Sequence, residues 1–187
     1  TDGYYHHTLI EFVQQNFSAS PSGQALAEKS CDILYAADKK TVAIQCYHGL
    51  GHGFAAISDY DMPKALKECD SLIKESAKIS CYGGAFMDNA MLTSAADTSK
   101  YQFFKKGDPL FPCRKVDEKY KDECYFYSIY QYLREVKPRP SSGTELIAVV
   151  DGAFALCRAA PAKHQSACFR GTGVLLGYSV GWDVKTV

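Results

Sequence analysis

His48 and His52 stand four residues apart in Cys46-Tyr47-His48-Gly49-Leu50-Gly51-His52-Gly53, inside a stretch from Thr41 to Ile57 that holds no Lys, Arg, Asp or Glu. On an α-helix, side chains four apart stack on one side, so the two imidazoles share a face. At about 100° per residue, Ala43, Cys46, Tyr47, Leu50, Phe54 and Ile57 gather on the opposite face. Gly51, Ala55 and Ala56 flank the histidines and leave room for an ion, a cofactor or a second backbone. His6 and His7 lie near the N-terminus, with His6 in line with Ile10 and Val13. Three or four imidazoles from two helices would suit zinc, copper or iron, and the Met87 thioether would tilt the choice toward copper. Two histidines facing across helices could also hold the iron of a non-covalent haem. The expected metal ligands are His48, His52, His6, His7 and Met87.

Other chemistries lack their residues. HxxxH has no Glu to serve as the base of an HExxH protease, and no CxxCH is present for covalent haem attachment. No GxSxG elbow occurs, nor a glycine-rich phosphate loop followed by Lys, and no paired carboxylates can be assigned. Asp88, beside Met87, could serve as an acid–base group but reads rather as a cap or surface charge, and His164, in a Lys/Gln loop, as a surface residue. Binding is therefore expected rather than catalysis.

The elements that must position these groups are marked by cysteines. Four times a cysteine is followed by a second that opens an aromatic segment: Cys31 and Cys46, Cys69 and Cys81, Cys113 and Cys124, Cys157 and Cys168. The residue after each second cysteine is aromatic in all four copies, and the third is Gly in three, Tyr127 being the exception. Successive second cysteines lie 35, 43 and 44 residues apart, a period of stacked helical hairpins. Where the first copy has His52, the others have Met87, Tyr130 and Val174, so the repeat itself does not require histidine there.

Eight cysteines with no close CxxC favour disulfides over zinc. Eight allow about 105 connectivities, but a short loop between two helices brings their facing ends within bonding reach, which favours pairing within each unit. Each such bond should stabilise its hairpin by about 3 kcal/mol in the chain-entropy model. Disulfides persist in oxidising compartments, so an extracellular or periplasmic protein is expected. The start at Thr1-Asp2-Gly3 suggests a processed N-terminus.

An all-α fold of disulfide-stapled hairpins follows, as a short α-solenoid or an irregular helical bundle. One domain over residues 1–187 would hold a leading helix at 4–16 and units at about 24–57, 61–92, 113–136 and 144–181. Within these, helices are expected at about 24–37, 41–57, 78–92, 118–136, 145–158 and 163–181, with Asp61 as an N-cap and Pro63 in the first turn of another. Gly107-Asp108-Pro109 and Pro112 forbid a regular helix before Cys113, and residues 93–112 read as a long ordered loop. Residues 137–143 read as a linker. Gly173, Gly177 and Gly181 form a bare stripe suited to close helix packing.

Met62-Pro63-Lys64-Ala65-Leu66-Lys67-Glu68-Cys69, then Cys81-Tyr82-Gly83-Gly84-Ala85, resembles the Sel1-like and tetratricopeptide class of helical hairpins, in particular cysteine-stapled Sel1-like proteins secreted by bacteria. The resemblance implies a solenoid with a concave binding surface and no particular chemistry. The chain departs from that pattern in its longer loops between paired cysteines and in the missing first helix of its third unit.

Twenty-one basic and 21 acidic side chains leave no net charge to attract nucleic acid or an anionic membrane. No apolar run approaches the ~20 residues of a membrane span. A protein partner is expected instead. The run Tyr125-Phe126-Tyr127-Ser128-Ile129-Tyr130-Gln131-Tyr132 encircles its helix, so part of it must lie outside the core or under another element. Tyr125, Phe126, Tyr130 and Tyr132 are the expected partner-binding residues, since aromatic rings give large contact area at low entropic cost. The competing reading is an interaction or assembly scaffold in which the histidines only pack.

Overall fold

Among the described residues, prolines, glycines and caps delimit the seven α-helices whose bounds follow, and no strand occurs. The computed structural model describes Glu11 and residues 21–37, 39–136 and 142–180. The helices are α1 (Pro21–Ala36), α2 (Lys40–Ile57), α3 (Met62–Asp70), α4 (Glu75–Met91), α5 (Lys121–Glu135), α6 (Gly143–Ala159) and α7 (Ala162–Val180). Asp61 caps α3 by accepting from Lys64 N at 3.4 Å, with Pro63 in the first turn. Ser142 does the same for α6 through Glu145 N at 3.3 Å. The entry to α4 is capped from another helix: the Glu28 carboxylate of α1 accepts from Ile73 N at 2.8 Å and Lys74 N at 3.2 Å. Negative charge is stabilising at that end of a helix.

The prolines before Cys113 act as expected. Only a single 3-10 turn, Pro112–Arg114, stands where a first helix would be. The loop before it is ordered against α5, with Gln131 Nε2 donating to Lys105 O at 2.9 Å and Gly107 N donating to the Glu135 carboxylate at 3.1 Å. The leading helix at 4–16, apart from Glu11, and residues 137–141 of the linker lie outside the described residues.

All four expected disulfides are formed: Cys31–Cys46, Cys69–Cys81, Cys113–Cys124 and Cys157–Cys168, with Cα separations of 5.6, 5.6, 5.5 and 5.4 Å. In the first two hairpins a hydrogen bond accompanies the disulfide. Asp32 and Asp70 follow the first cysteine, and each accepts from the tyrosine that follows the second, Tyr47 and Tyr82; the latter bond is 2.5 Å. Arg114 and Arg158 occupy the Asp positions in the other two.

Two compact units, Thr1–Asn89 and Ala90–Val187, divide the chain, each with two disulfides. Inside each, two helices cross with their backbones touching, at one register. In the first unit a Cβ on Gly84, three residues past Cys81, would lie 2.0 Å from the carbonyl oxygen of His48, two past Cys46. In the second a Cβ on Gly171, three past Cys168, would lie 2.3 Å from the carbonyl oxygen of Phe126, two past Cys124. Gly51 makes the reciprocal approach, to Cys81 O. The glycine that matters on α7 is thus Gly171 and not the expected stripe: nothing lies within 4 Å of a Cβ on Gly173, and Gly181 is outside the described residues.

Gly84→Ala and Gly171→Ala should each destabilise the protein by about 1–3 kcal/mol through overpacking against backbone. Gly173→Ala should be neutral or stabilising by up to about 1 kcal/mol, because only helix propensity changes. Urea unfolding of the three variants checks this, and equal losses at all three positions would contradict the crossing.

Candidate functional site

The uncharged helix is enclosed along its second half. Every residue of α2 from Cys46 to Ala55 is buried, the face with Leu50 and Phe54 and the face with the histidines alike, whereas Ile57 is exposed. His48 and His52 retain 9% and 2% of their accessible surface, and their rings meet edge to face with centroids 4.9 Å apart. Stacking one turn apart places both imidazoles in the interior of the first unit.

A third residue joins them. Asp88 on α4 is largely buried, and its Oδ1 lies 2.9 Å from His52 Nδ1. A carboxylate only accepts, so Nδ1 donates, and in the neutral ring Nε2 then keeps its lone pair. Nε2 is fully buried. Asp88 was expected to be a cap or surface charge. Its interior place was legible in the spacing, since Cys81, Gly84 and Asp88 follow the 0, 3, 7 rhythm of one helix face and Cys81 and Gly84 are at the crossing. Met87 precedes it and is half-buried.

His6 and His7 lie outside the described residues. Among the described residues no group of three or more His, Cys, Asp or Glu side chains is arranged to hold a metal. The described donors on this helix are therefore the two imidazoles. Being one turn apart on one helix, they cannot take opposite sides of one haem, so a bis-histidine haem would require His6 or His7 opposite them.

The second unit carries the aromatic run, and its tyrosines are mostly engaged inside it. Tyr125 is buried and stacks on His164 with centroids 5.1 Å apart. Tyr132 donates from its hydroxyl to Val149 O at 3.0 Å, and Gly152 makes room for that oxygen. Phe126 and Tyr130 are half-buried, with Arg170 and Arg134 over their respective rings. Of the four expected partner-binding residues, Tyr125 is buried and Phe126, Tyr130 and Tyr132 are half-buried.

His164 departs from its expected surface position. It is 5% exposed in the first turn of α7, with Nδ1 2.7 Å from Asp122 and Nε2 3.0 Å from Glu118. Each ring nitrogen thus faces a carboxylate oxygen. Hydrogen bonds from Lys163 and Lys121 hold the Glu118 carboxyl down at about 2. The signal for burial was again spacing, because His164 is one turn before Cys168.

Comparison with family models, characterised proteins and solved structures finds no match for this chain.

Beside this cluster, Glu123 is mostly buried, and burial pushes its carboxyl up to about 7 despite Arg170 at 3.8 Å, with the neighbouring Asp122 charge acting in the same upward direction as burial. The folded state therefore holds a proton that the unfolded chain, with an ordinary carboxyl, gives up above about 4.5. Stability from this group is fully present below that pH and is lost as pH rises to about 7. Glu123→Gln should match wild type at about pH 4 and exceed it by up to about 3 kcal/mol at about pH 8. Urea melts at the two pH values measure the difference, and an unchanged gap would show that Glu123 ionises normally.

Proposed function

We propose that this protein binds a transition-metal ion, or a metal cofactor, through His48 and His52, with Asp88 orienting His52, in a binding, delivery or electron-transfer role. The observation that carries this reading is the buried carboxylate–imidazole pair beside a second imidazole. A carboxylate on Nδ1 is the usual partner of a metal-bound histidine, because it fixes the tautomer and raises the basicity of Nε2. The second unit strengthens the argument. At the same positions relative to its cysteines it has Phe126 for His48, Tyr130 for His52 and Leu175 for Asp88, and it makes the same crossing. The scaffold has no need of these polar groups. His6 and His7 would supply the further ligands, with copper, zinc or iron as the candidates.

Four disulfides suit an oxidising compartment, and an extracellular or periplasmic site of action goes with this reading. No helix among the described residues is long and apolar enough to cross a membrane.

Equilibrium dialysis of the full chain against copper, zinc and iron, followed by elemental analysis, should give one bound ion per chain for one of the metals. Asp88→Asn should weaken its binding by about 10–100-fold, the usual effect of losing such a partner. The double variant His48→Ala/His52→Ala should abolish it. A folded double variant that binds as wild type would remove the proposal and leave the histidines as packing residues of a scaffold.

A further inference from the structure

The zero net charge conceals a local excess. Between Lys100 and Lys121 there are seven basic and three acidic side chains, so this segment of the second unit carries four surplus positive charges and the rest of the chain four negative. Part of the excess is concentrated around one ring. Lys115 Nζ lies 4.7 Å from the centroid of Phe111, Lys105 Nζ 5.8 Å and the Arg114 guanidinium 6.0 Å. Asp108 is drawn in among them, 2.5 Å from Arg114 Nη2 and 3.6 Å from Lys105 Nζ.

Three cations about one ring repel each other, and the ring and one carboxylate offset only part of that. Lys105 and Arg114 keep 60% and 51% of their side-chain surface in water, and Lys106 beside them is exposed. The segment is also tied down, by Gln131 and Glu135 of α5 on Lys105 O and Gly107 N and by the Cys113–Cys124 disulfide. The charges are thus concentrated, hydrated and held on an ordered loop.

We infer that this loop is a binding surface for an anionic polysaccharide, sulfated or carboxylated. Three features select that class of polyanion. Single-stranded nucleic acid is held by stacking bases on open aromatic faces, and here cations stand over the rings of Phe111 and, from Lys115 at 5.9 Å, Phe103. A membrane-surface segment presents large apolar side chains for insertion, whereas Phe104 and Leu110 point into the core. The disulfides suit a compartment where acidic glycans are the common linear polyanions. This surface is independent of the histidine site in the first unit.

The test uses the full chain and three probes: a heparin octasaccharide, a single-stranded DNA oligonucleotide of equal charge, and phosphatidylglycerol vesicles. Heparin should bind tightest, and its binding should weaken as salt is raised from about 50 to about 200 mM, because bound counterions are released. Lys105→Gln/Lys115→Gln should cost at least tenfold in heparin affinity, with helical content unchanged, and Lys105→Arg/Lys115→Arg should retain it. Should the glutamine pair not fold, the ranking of the three probes on wild type and the arginine pair still decide. Absence of heparin binding at about 50 mM salt, unchanged affinity in a folded glutamine variant, or tighter binding of DNA or vesicles would each overturn the inference.

Discussion

Each unit depends on a close approach of two helix backbones that only glycine permits, at a distance from the cysteines that the disulfides keep constant. Cys46–Cys31 and Cys81–Cys69 anchor α2 and α4 to the preceding helices of their hairpins, and the crossing of α2 with α4 falls two and three residues further on. In the second unit Cys124 and Cys168 anchor α5 and α7, and the crossing falls at the same offsets. A side chain at Gly84 or Gly171 would separate the helices and open the core between them, where interiors tolerate little void. The aromatic residue after each second cysteine then has a fixed place. Tyr47 and Tyr82 reach back to Asp32 and Asp70, and Tyr125 stacks on His164.

Much of this frame could be read from residue types, because disulfide pairing, capping and proline effects are local. The pairing of each cysteine with its neighbour, the Asp61 cap and the missing helix before Cys113 all follow from interactions within a dozen or so residues. What was not legible depends on which helices meet. The cysteine spacing suggested four equivalent hairpins, whereas the backbone crossings join α2 with α4 and α5 with α7. A glycine stripe at 173, 177 and 181 looks like a packing face until the crossing is known to use Gly171.

The same limit explains the candidate site. His48 and His52 were legible because an uncharged helix draws attention to its polar residues. Asp88 and His164 look like surface groups in the sequence because charged and titratable side chains mostly are. Periodicity held the correction: both fall on the face of a buried cysteine, Asp88 two turns after Cys81 and His164 one turn before Cys168. In these two helices a cysteine committed to a disulfide marks the core face. Any polar residue in phase with it is then expected to be buried and matched, as Asp88 is to His52.

Taking charged groups out of water can cost more than their pairing returns, and replacing a buried ion pair by well-packed apolar residues is often neutral or stabilising. The second unit sets less polar residues in that register. Phe126, Tyr130 and Leu175 occupy the register of His48, His52 and Asp88, around a crossing closed by the same kind of glycine contact. If stability alone governed the register, the aromatic and aliphatic set would serve in both units. The first unit instead keeps two imidazoles and a carboxylate in its interior, which supports the proposed binding role over a purely structural one.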